Sequence, residues 1–220
     1  MRPPLLETFK LVTVTMGWVL LLSIPFGIFS ALYRSSIWDH LFSGFIYFGQ
    51  ATPNFWLGIM LILLFAVKLK LFPSFGGGSV RHMVLPSIAL GIALVARVVR
   101  FVRSEMIGVL QQDYIRTAKS KGLTRRRVIL VHSFRNVLIP LVTDMGLQYG
   151  WLFANAVVIE MVFAWPGIGW ITVQAISSRD YPLLQASVLL LISIFILLTA
   201  LVDIAYQYID PLIRFDNYAA

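Results

Sequence analysis

Five long apolar stretches are the feature that most limits what this chain can fold into. They cover residues 11–33, 41–67, 83–102, 137–163 and 183–206. A helix needs about 20 apolar residues to cross the hydrocarbon core of a bilayer. Pro53 interrupts the second stretch, but none of the five alternates at strand period, so helices are favoured over barrel strands. The sequence predicts an all-α integral membrane protein with about five transmembrane helices in a single domain, residues 1–220.

The amino-acid composition supports a lipid environment. Apolar residues make up 59% of the 220 residues and charged residues only 13%, whereas a soluble domain is about 45–50% apolar and about a quarter charged. One soluble core of this size could not bury that excess. The net charge of +8 does not call for a nucleic acid partner, because lysine and arginine collect in the cytoplasmic loops of membrane proteins.

Positive charge marks one end of the predicted bundle. Residues 100–135 carry nine lysine or arginine residues, so the loop of residues 104–136 is predicted to face the cytoplasm. Alternation of the spans then places the N-terminus outside, where Arg2 and Lys10 would resist translocation. We therefore expect that a first span is missing, as if the chain were the later part of a longer protein.

This basic loop contains the pattern of a short helix followed by a stop. Asp113 can cap a helix by accepting a hydrogen bond from an unpaired backbone N–H, and Gly122 supplies a left-handed residue that ends it. Ile115, Ala118 and Gly122 recur at spacings of three and four and so share one helix face. The loop is predicted to present a small-residue ridge with a basic rim, which suits a groove on another protein. The alternative is a solvated loop that only sets topology and touches anionic lipid.

The stretch DYIRTAKSKGLTRRRVILVHSFRNVLIP resembles the coupling loop of ABC importer permeases, above all those of the dipeptide, oligopeptide and nickel group (DppB/OppB-like). Ala118 and Gly122 fall on an alanine and the glycine of the family pattern. Arg116 and Thr117 stand where the generic pattern has glutamate and alanine. Other blocks fit the same group in order: PFGIFSALYR, TPNFWLGIMLILLF, LPSIALG, RFVRSEM, VIEMVFAWPGIG, RDYPLLQASVLLL and LVDIAYQYIDPLIR.

The resemblance implies a type I ABC importer permease fold, in which residues 104–136 form the cytoplasmic coupling loop. It implies a transport subunit without covalent chemistry, which moves peptides or a related small solute (nickel, a metal chelate or an oligosaccharide) by alternating access. The residues that it assigns to coupling with the ATPase are Asp113, Tyr114, Arg116, Thr117, Ala118, Lys121, Gly122 and Leu123.

Partners follow from the same resemblance. They are a second permease subunit in a heterodimer, two cytosolic ATPase subunits and an extracytoplasmic substrate-binding protein, in a bacterial or archaeal inner membrane. ATP and magnesium would be bound by the ATPase subunits, so this chain is expected to hold no cofactor. The absence of cysteine and the scattered histidines give no metal-ligand spacing.

Ionisable residues within or near the predicted spans are further candidates. They are Arg97, Asp144, Glu160 and Asp203. A charge at the bilayer centre costs about 2.5–3.5 kcal/mol on insertion scales, so each is a functional candidate by default. Each side chain either faces the translocation pathway or pairs with a polar group on a neighbouring helix, and the sequence leaves both options open.

Two other functions stay open on the sequence alone. The missing span makes a truncated, non-transporting or regulatory membrane fragment one alternative. The other is an integral-membrane enzyme that acts on lipid phosphate through Asp144, Glu160 and the arginines. The candidate acids are spread over two predicted helices without a catalytic motif, so the sequence names no catalytic residue.

Overall fold

The computed structural model describes residues 3–33, 44 and 49–209, except for the side chains of residue 203 and residues 205–209. All regular secondary structure in this part of the chain is helical, which confirms the predicted fold class. The helices are α1 Pro4–Leu32, α2 Asn54–Lys68, α3 Val80–Leu110, α4 Asp113–Ser120, α5 Arg125–Val162, α6 Ile168–Ser178 and α7 Tyr181–Ile209.

Four of the described helices, α1, α3, α5 and α7, are long and apolar enough to cross a membrane. Helix α2 is apolar but shorter than 18 residues. It begins directly after Pro53, because proline lacks the N–H that would continue a preceding helix. The predicted interruption at Pro53 is therefore confirmed, while residues 34–43 and 45–48, where this stretch begins, lie outside the described part.

Helices α3 and α5 are longer than the apolar stretches that predicted them. The first continues to Leu110 and the second already starts at Arg125. The length of an apolar stretch predicts only the part of a helix that lies in hydrocarbon. The helix can continue beyond that part, because charged side chains in water or among lipid headgroups do not interrupt backbone hydrogen bonding. Both helices therefore run on into the basic segment, and the short helix α4 lies between their ends.

Helix α3 is central to the fold. It packs mainly against α1, and also against α2 and α5. Side chains from these helices form one buried core, which includes Leu11, Leu90, Val98, Leu141 and Phe153. Since lipid is as apolar as leucine, close packing and hydrogen bonds between helices stabilise such a bundle more than exclusion from water does.

Two glycines on α5 allow α7 to pack closely against it. A Cβ on Gly150 would lie 3.1 Å from the ring of Phe195, and a Cβ on Gly146 would collide with Val202. The spacing of these glycines predicts close helix crossing, and the structure confirms it within this subunit. The opposite face of α7 exposes large apolar side chains, as a helix facing lipid does: Leu189, Ile196, Leu197 and Leu201.

Candidate functional site

Helix α4 lies where α3 ends and α5 begins, at what is called here the α4 end of the bundle. It starts at Asp113, and the residue before it, Gln112, has an extended backbone. The prediction that the Asp113 side chain caps the helix is wrong, because Asp113 is already the first helical residue and no side-chain cap bond forms. Its carboxylate lies in the first turn, where a negative charge interacts favourably with the helix dipole.

The end of α4 is as predicted. Gly122 has a φ of +74°, in the left-handed region where a side chain costs about 1–2 kcal/mol. The N–H of Gly122 donates to the Lys119 carbonyl at 3.0 Å, and the N–H of Leu123 donates to the Ala118 carbonyl at 3.4 Å. These two bonds form a Schellman motif, so the local sequence is sufficient to stop the helix here.

The orientation of α4 corrects the expectation of an outward small-residue ridge. Ile115 is fully buried and Ala118 is 8% exposed, and both pack against Val128 on α5. The helix is strongly amphipathic, and turning Ile115 toward water would lose the gain from burying its apolar surface. The predicted ridge therefore attaches α4 to this chain, and the opposite face of the helix is outward.

Most of the proposed coupling residues lie on that outward face or at its end. The exposed ones are Asp113, Tyr114, Arg116, Thr117, Lys121 and Gly122. Leu123 is half-buried and packs against the same cluster as Ile115. Arg116 and Asp113 approach to 4.0 Å with both side chains almost fully exposed, and such a pair contributes little to stability. The outward face thus keeps its charges available for another molecule.

A polar contact that sequence reasoning missed also fixes α4 to α5. Asn136 Nδ2 donates to the Tyr114 hydroxyl at 2.7 Å and to the His132 carbonyl at 3.0 Å. Asn136 lies 22 residues from Tyr114 in sequence, so no local pattern reveals the pair. With the buried cluster, this bond attaches α4 to α5 at two points.

Arg97 on α3 and Asp144 on α5 form an ion pair within the bundle. Arg97 Nη2 lies 3.4 Å from Asp144 Oδ1, and the side chains are 54% and 15% exposed respectively. Gln148 Nε2 donates to the same Oδ1 at 3.2 Å, whereas Oδ2 is buried and has no hydrogen-bond partner among the described residues. The structure thus brings together Arg97 and Asp144, two residues whose roles the sequence left open.

Glu160 joins three helices at the end of the bundle opposite α4. It is fully buried, and its Oε1 accepts a hydrogen bond of 2.6 Å from the Thr8 hydroxyl on α1. Its Oε2 accepts from the backbone N–H groups of Gly169 at 2.8 Å and Trp170 at 3.3 Å. These N–H groups have no partner within α6, so the carboxylate caps that helix from α5. Of the two options that the sequence left open for Glu160, the structure shows pairing with polar groups on neighbouring helices.

Two more residues complete this network, and neither stands out in the sequence. The Thr8 hydroxyl also accepts from the N–H of Ile168 at 3.0 Å. Trp165 is 1% exposed, and its Nε1 donates to the Glu7 carbonyl at 3.1 Å. A tryptophan near a span end favours an interfacial position, but this one is buried. The fourth candidate, Asp203, lies on α7, and its side chain is outside the described part.

No three histidine or acidic side chains gather into a group that could hold a metal ion in the part of the chain that the structure describes. Glu160 is surrounded by donors that belong to this chain, and Asp144 faces Arg97 and Gln148. The arrangement offers hydrogen bonding and charge for a passing or docking molecule, on the outward face of α4 and around Arg97.

Comparison with known proteins agrees with this picture. Residues 23–215 match the family described as binding-protein-dependent transport system inner membrane component. Over 210 residues, the chain is 42% identical to the glutathione transport system permease protein GsiC of Pectobacterium atrosepticum and 40% identical to GsiC of Escherichia coli K12. Each match covers 96% of this chain and 69% of the relative.

Solved structures show the same fold. A chain of the MetNI methionine ABC transporter in an inward-facing conformation matches with a TM-score of 0.77 at 16% identity, over 94% of each chain. A chain of an amino acid ABC transporter matches with a TM-score of 0.70 at 15% identity, over 93% of this chain and 92% of that one. These matches confirm the type I importer permease fold. The chain therefore belongs to the inner-membrane components of binding-protein-dependent transport systems, and it is a multi-pass permease subunit of an ABC importer, a transport component rather than an enzyme.

Proposed function

We propose that this chain forms a translocation pathway for peptides or a peptide-like solute such as glutathione, together with a second, different permease subunit. The relatives named as glutathione permeases, at 40–42% identity, favour peptides over nickel, metal chelates and oligosaccharides. An extracytoplasmic binding protein delivers the solute to the end of the bundle opposite α4. The α4 end faces the cytoplasm, where lysine and arginine are concentrated.

The observation that carries the coupling mechanism is the firm attachment of α4 to α5. Ile115 and Ala118 pack on Val128, and Asn136 holds Tyr114, so a force on the outward face of α4 reaches α5 directly. A cytosolic ATPase subunit binds this polar face in a surface groove. Closure of two ATPase subunits on ATP then favours one packing of the helices over the other through differential contacts.

The same helix links coupling to the pathway. Helix α5 is continuous from Arg125 to Val162, and it carries Asn136 near one end, Asp144 midway and Glu160 near the other. A tilt imposed at α4 is therefore passed on to the rest of the bundle along this helix, through its π-helical segment Val128–Ser133 and past Pro140. ATP and magnesium belong to the partner ATPase subunits, and this chain binds no cofactor of its own.

Two measurements test the proposal. Affinity purification from native membranes with mass spectrometry should recover a second permease and ATPase subunits with this chain. The purified complex, reconstituted into vesicles with the binding protein, should take up radiolabelled glutathione or a tripeptide in an ATP-dependent way. Recovery of the chain alone after gentle extraction would contradict the assembly, and uptake of neither probe would contradict the substrate class.

A further inference from the structure

The ion pair between Arg97 and Asp144 lies within the membrane-spanning part of the bundle, toward its α4 end. Arg97 is 17 residues after Val80 and 13 before Leu110, which is about 26 Å and about 20 Å along α3. Asp144 is 19 residues after Arg125 and 18 before Val162, about 28 Å and about 27 Å along α5. The apolar stretches are shorter than these helices: Arg97 lies five residues before the end of its stretch at residue 102, and Asp144 lies seven residues after the start of its stretch at residue 137. Both charges are thus within the membrane-spanning part but toward its α4 side, and ionisable residues there face the bundle interior or water rather than lipid.

The pair is incompletely satisfied. A charge-assisted hydrogen bond between guanidinium and carboxylate is about 2.7–2.9 Å long, whereas Arg97 Nη2 and Asp144 Oδ1 are 3.4 Å apart. The guanidinium has five N–H donors, and its side chain is 54% exposed. Asp144 Oδ2 is buried without a partner among the described residues. The exposed guanidinium of Arg97 can therefore bind a further ligand without first losing a strong bond. The Asp144 side chain is only 15% exposed, so it must turn its buried Oδ2 outward to do the same.

The exposed stripe of α3 is polar from Arg97 toward the α4 end. Arg100 and Ser104 follow on the same exposed stripe of α3, one and two turns toward the α4 end. This stripe differs from the exposed face of α7, where large apolar side chains such as Leu189, Ile196, Leu197 and Leu201 predominate. The α7 face suits lipid, and the α3 face suits a water-filled pathway.

We propose that Arg97 and Asp144 form a subsite of the translocation pathway that binds zwitterionic solutes, with Arg97 on the solute carboxylate and Asp144 on its ammonium group. While the pathway is empty, Arg97 and Asp144 form an ion pair with each other. A solute that carries both charges can replace each partner, whereas an anion or a cation would satisfy only one of them. The inference rests on the proposed import of peptide-like solutes and names the residues that recognise them inside the membrane.

Uptake by the reconstituted complex with its partners tests the subsite, with glutathione and trialanine as probes. R97Q and D144N should each raise the KM for uptake about tenfold, since each removes one charged hydrogen-bonding partner of the solute. The double variant R97Q/D144N is decisive. Asp144 is only 15% exposed, so removing Arg97 alone leaves a largely buried charge uncompensated, whereas removing both members of such a pair is often neutral. A purely structural pair would therefore be rescued in the double variant, but a subsite would not.

A control removes an exposed cation elsewhere on α3. R81Q, at the start of the helix, should leave KM within about twofold of the unaltered complex. Assembly is checked by the yield of partner subunits and by basal ATPase activity. Recovery of KM in the double variant, or losses confined to assembly, would overturn the subsite. If the unaltered complex takes up neither probe, the proposed substrate class fails, and the subsite fails with it.

Discussion

The hydroxyl of Thr8 donates a 2.6 Å hydrogen bond to Glu160 Oε1 and accepts one of 3.0 Å from the backbone N–H of Ile168. One small side chain on α1 therefore satisfies both a buried carboxylate on α5 and the first N–H of α6. Thr8 is 1% exposed, so no water replaces these bonds when the hydroxyl is removed. The three helices are joined at this point by polar contacts that lipid cannot supply.

Replacing Thr8 with valine should destabilise the protein although the shape of the side chain is kept. The change leaves a buried acceptor and a buried donor unpaired, at about 1–3 kcal/mol each. Thermal unfolding of the purified protein in detergent, followed by tryptophan fluorescence, should show a clearly lower midpoint for T8V. T8S keeps the hydroxyl and should stay near the unaltered protein. Equal midpoints for T8V and T8S would show that these bonds do not contribute.

The sequence predicted those features of the site that depend only on residues close together in the chain. A left-handed glycine ends α4 at Gly122 whatever surrounds it, and long apolar stretches become spans. The orientation of α4 could not be predicted in this way, because it depends on where Val128 lies in the fold. Ala118 suits a docking ridge and a buried contact equally well, and only the packing of Ile115 decides between them.

The same limit explains the polar network. Glu160 is conspicuous as an acid in an apolar stretch, so the sequence marks it as a candidate. Its partners are a threonine 152 residues earlier and two backbone N–H groups, none of which has a recognisable pattern. Trp165 is similar: position near a span end favours the membrane interface, but the carbonyl of Glu7 and close packing hold it inside.

Ala118→Asp should uncouple transport by displacing α4 rather than by changing the docking face. It places a charge in the cluster with Ile115 and Val128, where Ala118 is 8% exposed, and a buried unpaired charge is strongly unfavourable. Limited proteolysis of the loop should accelerate at least several-fold, while membrane insertion is unchanged. In the proteolysis assay, T117D at the neighbouring exposed position is the control for added charge alone. A118D with normal proteolysis but lost coupling would indicate direct contact with the ATPase instead.

The Tyr114–Asn136 hydrogen bond should stabilise the attachment of α4 to α5. Y114F and N136L each remove one partner of a 2.7 Å bond, at a net cost of about 0.5–1.5 kcal/mol. A double-mutant cycle on thermal unfolding isolates the pairwise term, and the double variant should be less unstable than the sum of the single variants. Additive effects would mean that the two side chains act independently. If attachment matters for coupling, ATP-dependent uptake should fall more than substrate-independent ATPase activity does.

Charge reversal on the outward face of α4 tests where the ATPase binds. Arg116 and Lys119 are exposed, so R116E/K119E should fold normally but reduce binding-protein-stimulated ATPase activity and uptake about tenfold or more, as expected when close charge pairs across an interface are lost. The purified variant should also retain less ATPase subunit, increasingly so at high salt. R126E, an exposed basic position at the start of α5, is the matched control. Full coupling in R116E/K119E, or an equal loss in R126E, would place the docking surface elsewhere on the loop.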